Sequence, residues 1–277
     1  MKPFALLAAR EDDAAVQGEY RAVRRFMGLE PEQLVLVRLE QGPLPPLDFS
    51  DYSGLIIGGS PYNVSDDETA KSGTQKRVES DLSRILAQSI AEDFPVLGLC
   101  YGLGLLTQLL GGIVNREYGE EASAVEVRLT TAGQADPLLA GFPTTFPALT
   151  GHKEAVAELP STDFQNGMRP GLLRALGFSD PTVAHISESS DYSAVQVLAT
   201  GAACPVQMVR VGRNAYATQF HPELDEAGIK ERLAIYLDKG YCAPDEYDAV
   251  IERITGTPLT NAQQILKNFA ILYGHSG

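Results

Sequence analysis

Short apolar runs separated by polar segments mark the first hundred residues of the chain. Residues 4–9, 33–39 and 53–58 are rich in Leu, Val and Ile and are short enough to be buried strands. The segment EYRAVRRFMGL predicts a helix between the first two runs. Strands that alternate with helices predict a parallel α/β sheet with right-handed crossovers.

A longer periodic segment follows and leads into the most apolar run. Residues 74–90 predict an amphipathic helix, because their apolar residues recur at spacings of three and four, at Val78, Leu82, Ile85, Leu86 and Ile90. The chain then enters FPVLGL at 94–99, whose continuous apolarity predicts a central strand that is covered on both faces.

Beyond Gly112 the pattern changes to shorter strands joined by turns. We predict four such strands, at 124–130, 195–200, 205–212 and 214–220. The sequence Gly212-Arg213-Asn214 predicts a hairpin turn between the last two. Residues 161–194 are polar with little periodicity, and we interpret them as a long excursion with one short helix near GLLRALG.

The chain closes with predicted helices at 225–239, 245–254 and 260–273. We predict one catalytic domain over residues 1–240 and a C-terminal helical appendage over residues 241–277 that packs on it. The expected fold class is α/β, with a mostly parallel central sheet, flanking helices, a small antiparallel portion and C-terminal helices.

Composition and charge narrow the class of protein. Of 277 residues, 44% are hydrophobic and 21% charged, which is typical of a soluble globular chain, and no run reaches the roughly 18 apolar residues of a membrane helix. The net charge of −14 repels nucleic acid and anionic membranes, so neither is an expected partner. The 3 cysteines are widely spaced and form no CxxC pair, so we expect no metal site and a reducing cytoplasmic location.

A cysteine lies between glycines at the end of the predicted central strand, in GLCYG at 98–102. In α/β hydrolases such a turn exposes the nucleophile, and the backbone N–H of the next residue helps to bind the oxyanion. The following LGLLTQLL predicts a helix, whose N-terminal dipole is expected to lower the pKa of the Cys100 thiol. The alternative is a buried core cysteine, as most free cysteines are.

Among the 4 histidines, His221 is the best placed to act as a base. It follows a predicted strand in ATQFHPEL, at the sheet edge where α/β folds place their sites. Glu223 can accept the Nδ1 proton and fix the imidazole tautomer. In isolation His-Pro-Glu favours a capping histidine with a surface glutamate, and the elbow cysteine reverses that preference. His185 and His275 are interpreted as solvated surface residues.

A glycine-rich turn, GGSP at 58–61, ends the third predicted strand. Such a turn can direct a backbone N–H at a developing oxyanion, although a plain tight turn is the alternative interpretation. No GxxxxGK[ST] or complete GxGxxG pattern follows, which disfavours phosphate binding. We therefore expect no cofactor.

The ordered set GGSP, GLCYG and QFHPE resembles the class I (triad) glutamine amidotransferases, in the branch similar to the glutaminase part of GMP synthase. The resemblance covers residues 1 to about 240 and implies a flavodoxin-like fold and hydrolysis of glutamine through a γ-glutamyl thioester. It implies that Cys100 is the nucleophile, that His221 is the general base and then acid, and that Glu223 orients it. The backbone N–H groups of Ser60 and Tyr101 would form the oxyanion hole.

The resemblance also implies a substrate pocket around these motifs. The residues expected to form it are Gly59, Pro61, Gly102, Gly104, His152, Gln219 and Phe220. His152-Lys153-Glu154 resembles the H-x-D/E segment of the family, although a turn residue is the alternative for His152. The sequence departs from the family at Gly104, where a substrate-binding glutamine is usual, and at Ser60, where glycine is usual. The 161–194 excursion is also longer than expected. These departures leave the acyl-transfer groups intact and alter the pocket.

Three functions stay open at this point. The first is a glutamine amidotransferase that passes ammonia to a separate synthase or acceptor protein, because no synthetase or ATP-binding motif is present. The second is a standalone thiol amidase or γ-glutamyl peptidase that acts on another small-molecule amide, which the missing glutamine at Gly104 favours. The third is a catalytically silent binding or regulatory protein, which the intact trio of Cys100, His221 and Glu223 disfavours.

Overall fold

The computed structural model describes residues 1–160, 195–236, 247–257 and 259–274. The predictions for the 161–194 excursion, for His185 and His275, and for the third cysteine, Cys242, therefore lie outside the described residues. Within the described part, helices are too short or too polar to cross a membrane.

Eleven strands are described: β1 (Phe4–Ala8), β2 (Leu34–Arg38), β3 (Gly54–Ile57), β4 (Val96–Leu99), β5 (Ile113–Asn115), β6 (Glu120–Leu129), β7 (Thr145–His152), β8 (Ala155–Glu158), β9 (Val195–Gly201), β10 (Met208–Val211) and β11 (Ala215–Thr218). The described helices are α1 (Asp13–Met27), α2 (Gly73–Ala91), α3 (Tyr101–Leu109), α4 (Thr131–Ala135), α5 (Glu226–Ile235), α6 (Tyr247–Ile254) and α7 (Gln264–Tyr273).

The main sheet has nine described strands in the order β2-β1-β3-β4-β11-β10-β9-β6-β7, and β5 pairs separately with β8. The strands from β2 to β11 pair in parallel, and those from β11 to β7 pair antiparallel. The predicted α/β class is confirmed. The antiparallel part is as wide as the parallel part, and thus larger than expected.

Strands β1, β3 and β4 are buried on both faces, which explains their continuous apolarity. Successive residues of β1 point to opposite faces, so that Phe4 joins one core cluster and Ala5 the other. Helices α2 and α3 cover one face, while α1 and α7 cover the other. The ring of Phe269 in α7 lies 5.9 Å from that of Phe4, so the last helix is part of this core.

Two features of the antiparallel part differ from the prediction. Strand β6 begins at Glu120 rather than at 124, and β7 was not predicted at all. Pro147 and Gly151 interrupt the apolar and polar alternation expected of a strand in β7. Proline is tolerated there because β7 forms the edge of the sheet. The hairpin at 212–214 is confirmed: Val211 pairs with Ala215, and Gly212 has φ 58°.

Candidate active site

Cys100 occupies a strained turn between β4 and α3. Its φ of 50° and ψ of −85° are rare for a residue with a side chain, which identifies a backbone held by its surroundings. The Cys100 N–H donates to the Thr218 carbonyl at 2.7 Å. A Cβ atom at Gly98 would lie 3.0 Å from the Gly102 Cα, so the glycines let the helix start approach the strand. The predicted elbow is therefore present in the backbone.

The chain places His221 and Glu223 beyond the neighbouring strand. Thr218 at the end of β11 pairs with Leu99 at the end of β4, so both strands end at the same edge of the sheet. The His221 N–H donates to the Leu149 carbonyl at 2.8 Å. His221 Nδ1 lies 2.9 Å from Glu223 Oε1, and both side chains are buried. This contact gives the imidazole the orienting carboxylate that the sequence predicted.

Burial sets the protonation of the three groups. It raises the pKa of the Cys100 thiol to about 12, and the negative charge of Glu223 acts in the same direction. Burial also lowers the pKa of His221. For Glu223 burial acts toward a higher pKa, but the contacts with His221 and Arg232 hold that pKa well below its usual range. The free site thus has a neutral thiol, a neutral imidazole and a carboxylate. The expected dipole-lowered pKa of Cys100 is wrong, because desolvation outweighs the helix terminus.

The glycine-rich turn after β3 is fixed by the groups behind it. The Gly59 N–H donates to Glu19 Oε1 at 3.0 Å, and a Cβ at Gly59 would lie 2.6 Å from Arg10 Nη2. Ser60 Oγ donates to the Ala9 carbonyl at 2.9 Å and accepts from the Tyr62 N–H at 3.1 Å. The hydroxyl of Ser60, a residue that departs from the family pattern, thus forms hydrogen bonds with the backbone of Ala9 and Tyr62.

A cavity of about 300 Å³ opens beside Cys100, which is a size suited to a small ligand. Six predicted site residues besides Cys100 line it, namely Ser60, Pro61, Tyr101, Gly104, His152 and Gln219. Gln219 Nε2 lies 3.7 Å from the Cys100 Sγ.

Three residues predicted to contact substrate lie behind the cavity wall instead. Phe220 is fully buried and packs edge-on against Phe146. Gly102 faces Ile57 within the elbow, and Gly59 faces the buried side chains of Arg10, His221 and Glu19. Their positions serve the packing of the backbone turns.

The position of the missing family glutamine is filled from a neighbouring loop. A Cβ at Gly104 would lie 3.0 Å from Val64 Cγ2 and 3.7 Å from Glu154 Oε1. The two carboxylate oxygens of Glu154 accept the backbone N–H groups of Val64 at 2.7 Å and Ser65 at 2.9 Å. Glu154 is therefore part of a fixed cavity wall at the point where the family has a glutamine.

A buried polar cluster based on the antiparallel strands also lines the cavity. Glu120 Oε2 accepts from Gln207 Nε2 at 2.8 Å and lies 2.9 Å from His152 Nε2. His152 Nδ1 lies 3.0 Å from the Glu154 carbonyl oxygen. Cys204 offers a sulfur within 4.8 Å of the Glu120 and His152 ligand atoms, so these three side chains could in principle hold a metal. Hydrogen bonds already link Glu120 to His152 and Gln207 without a metal.

Four charged residues near the site were missed by sequence reasoning: Arg10, Glu19, Glu120 and Arg232. Arg10 directly follows the first apolar strand, and its place at the carboxyl edge of the sheet was a usable signal. Glu19 and Arg232 resemble ordinary surface residues of amphipathic helices, and only the packing of α1 beside α5 buries them.

Comparisons with known proteins identify the family and the fold. A family model described as glutamine amidotransferase class-I matches residues 13–233. The glutamine-hydrolyzing GMP synthase of Listeria innocua is 24% identical over 226 residues, which cover 81% of this chain and 34% of that protein. The chain thus spans about a third of that relative's length.

Two further matches differ in coverage. One subunit of the glutamine-hydrolyzing GMP synthase of Methanoregula boonei is 26% identical over 176 residues, covering 63% of this chain and 67% of that one. The crystal structure of a glutamine amidotransferase from Thermotoga maritima matches with a TM-score of 0.70 at 15% identity, covering 100% of both chains. The latter likeness concerns the fold.

Proposed function

Because the chain belongs to the class I glutamine amidotransferase family, we propose that it hydrolyses the side-chain amide of glutamine through a Cys100–His221–Glu223 triad. The observation that carries the proposal is the buried His221–Glu223 pair. The loop that holds this pair follows β11, and β11 pairs with β4, the strand that ends at the Cys100 elbow. A nucleophile, a base and an orienting carboxylate are the groups that acyl transfer requires.

The neutral resting state defines the first step. Glutamine places its amide carbonyl oxygen against the N–H groups of Ser60 and Tyr101, which stabilise the developing oxyanion. The Cys100 proton moves to His221 Nε2 as the bond from Sγ to the amide carbon forms. Glu223 accepts the Nδ1 hydrogen bond and stabilises the imidazolium.

The second half of the reaction returns the site to its starting state. The imidazolium gives its proton to the departing nitrogen, so that ammonia leaves and a γ-glutamyl thioester remains. Water then loses a proton to His221 and attacks the thioester. The products are glutamate and ammonia, with the Cys100 thiol restored.

We further propose that a separate protein uses the ammonia. The Methanoregula boonei relative is named as one subunit of GMP synthase, which supports a partner chain. Steady-state ammonia release from glutamine by the isolated chain would give the basal rate against which any synthase partner is compared.

A diazo-ketone analogue of glutamine tests the proposal directly. Intact-protein mass spectrometry after incubation is expected to show one adduct on the native chain, none on Cys100→Ala, and protection by excess glutamine. Iodoacetamide, a small nonspecific alkylator, serves as the control for thiol accessibility. Reaction of Cys100 with iodoacetamide but not with the analogue would contradict glutamine as the substrate.

A second candidate is a standalone thiol amidase or γ-glutamyl peptidase on the same fold. It is favoured by the occupation of the Gly104 region by Val64 and Glu154, which removes the family's glutamine contact. The ratio of kcat/KM for γ-glutamyl amides with larger amine groups to that for glutamine decides between the two. A ratio well above one favours this candidate, and a ratio well below one favours glutamine.

A further inference from the structure

Four buried charged side chains form a network behind the catalytic groups. Arg10 comes from the end of β1, Glu19 from α1, Arg232 from α5 and Glu223 from the loop after β11. Their side chains are at most 7% exposed. Two cations and two anions balance one another, as buried charges require.

One end of this network contacts the His–Glu pair. Glu223 Oε1 accepts from Arg232 Nη1 at 2.8 Å and lies 2.9 Å from His221 Nδ1. Arg232 Nη1 also lies 3.2 Å from His221 Nδ1. Nδ1 cannot donate to Glu223 and accept from Arg232 at once. Donation from Nδ1 to the carboxylate makes His221 and Arg232 joint donors to Glu223 Oε1 and leaves Nε2 free to take a proton.

The other end contacts the glycine-rich turn. Glu19 Oε1 accepts from the Gly59 N–H at 3.0 Å and from Arg10 Nε at 3.2 Å, and it lies 3.7 Å from Arg232 Nη2. A Cβ at Gly58 would lie 2.4 Å from Glu19 Oε2. The two glycines thus allow a carboxylate to approach the backbone that precedes Ser60.

We propose that Arg232 and Glu19 are positioning residues that join the His221–Glu223 pair to the turn supplying the Ser60 N–H. This role rests on the proposed function, because it concerns how that reaction's base and oxyanion hole are aligned. Arg232 holds Glu223 ionised and keeps His221 in the state that accepts a proton from Cys100. Glu19 transmits that alignment to the backbone of Gly59.

Charged and titratable groups reach His221 from several elements. Glu223 on its own loop, Arg232 on α5 and Arg10 after β1 all act on the pKa of His221. Glu19 on α1 lies beside Arg10 and Arg232, and Cys100 follows β4, the strand that pairs with β11. Arg232 and Glu19 carry opposite charges. Neutralising one must therefore move the titration of His221 in the opposite direction from neutralising the other, a signature that loss of packing alone does not produce.

The experiment is an NMR titration of the imidazole signals in the Cys100→Ala background, with the His221 signal identified by its loss in His221→Gln. We expect Arg232→Gln to raise the titration midpoint of His221 and Glu19→Gln to lower it. Arg21→Gln is the matched control, since Arg21 forms an exposed ion pair with Glu231 between the same two helices. The proposal is overturned if both variants titrate like this control.

Kinetics with Cys100 present supply the second readout. Arg232→Gln is expected to lower kcat/KM by about 10²-fold through misalignment, and Arg232→Lys to recover part of that loss. Should Arg232→Gln fail to fold, Glu19→Gln and Arg232→Lys decide the matter. Native-like titration and native-like kcat/KM in both would refute the positioning role. The titration needs no substrate, so it stands even if glutamine is not hydrolysed.

Discussion

The two halves of the sheet contribute different parts of the site. The parallel half ends in the glycine-rich turn, the Cys100 elbow and the loop that carries His221, all at one edge. The antiparallel half supplies Glu120 from β6 and His152 from β7, which form the facing wall of the cavity. The groups proposed to carry out the reaction thus follow paired central strands, whereas Glu120 and His152 of the cavity wall lie on peripheral ones.

This difference separates mechanism from specificity in the structure. A one-residue register shift in the central parallel strands would move every side chain into the opposite core, which fixes the relative placement of Cys100 and His221. The antiparallel strands include irregular pairings between β6 and β7 and between β9 and β10. Irregular pairing re-aims side chains, so this half can alter a pocket while the chemistry is retained.

The largest expected effect comes from the orienting carboxylate of the parallel half. Glu223→Gln offers an amide to both His221 and Arg232 and no longer compensates an imidazolium. We expect kcat to fall by about 10³ to 10⁴-fold with a small change in KM, measured by ammonia release. A loss of less than tenfold would remove Glu223 from the proposed mechanism. Circular dichroism would establish that the variant is folded.

A smaller effect is expected from the wall of the antiparallel half. Glu120→Gln replaces the carboxylate that holds His152 and Gln207. We expect KM to rise about tenfold, as for the loss of one charge-assisted hydrogen bond, while kcat changes little. Glu126→Gln is the control, because Glu126 is an exposed residue of the same strand. A fall in kcat alone would place Glu120 among the reacting groups and erase the division between the halves.

A further expected effect concerns stability at high pH. The folded state holds the Cys100 thiol protonated to about pH 12, whereas the unfolded chain ionises near pH 9. Between these values the native state binds more protons, so stability falls as pH rises, by at most about 1.4 kcal/mol per pH unit. Cys100→Ala lacks this dependence. The urea midpoint of the native chain should therefore approach that of Cys100→Ala, or fall below it, when the pH is raised from 8 to 11. A difference between the two midpoints that stays constant with pH would contradict the raised pKa of the Cys100 thiol.

His221 gives the opposite slope in acid. Burial lowers its folded pKa, so below its ordinary value of 6.5 the unfolded chain binds a proton that the native site does not. Stability from this group is present above that pH and is lost as pH falls. His221→Gln should unfold with a weaker pH dependence between pH 7 and pH 5 than the native chain. The same urea midpoints measure it.

Sequence reasoning predicted the parallel half well for a physical reason. Strands β1, β3 and β4 are continuous apolar runs, and the proposed catalytic residues lie shortly after strand ends, so local pattern and candidate site coincide around Cys100 and His221. The cavity wall formed by β6 and β7 was predicted poorly. Strand β7 contains Pro147 and Gly151, which hide its periodicity, and Glu120 precedes the part of β6 that alternates.

The buried charges could not be predicted from the sequence alone. Glu19 and Arg232 are separated by more than two hundred residues, and they meet only because α1 packs beside α5. The effect on the thiol was likewise beyond a local argument. The helix terminus after Cys100 is visible in the sequence, whereas the desolvation that raises the pKa of Cys100 depends on every element around it.

The hydrogen bond from the Cys100 N–H to the Thr218 carbonyl has a consequence for dynamics. It extends the ladder between two central strands by one step beyond the sheet, into the strained turn itself. Amides in such positions exchange with solvent through the rarest opening events of a domain, while wall and loop amides exchange through local fraying. We therefore expect Cys100 to move with the most persistent part of the fold, and its strained backbone to relax only when the centre of the sheet opens.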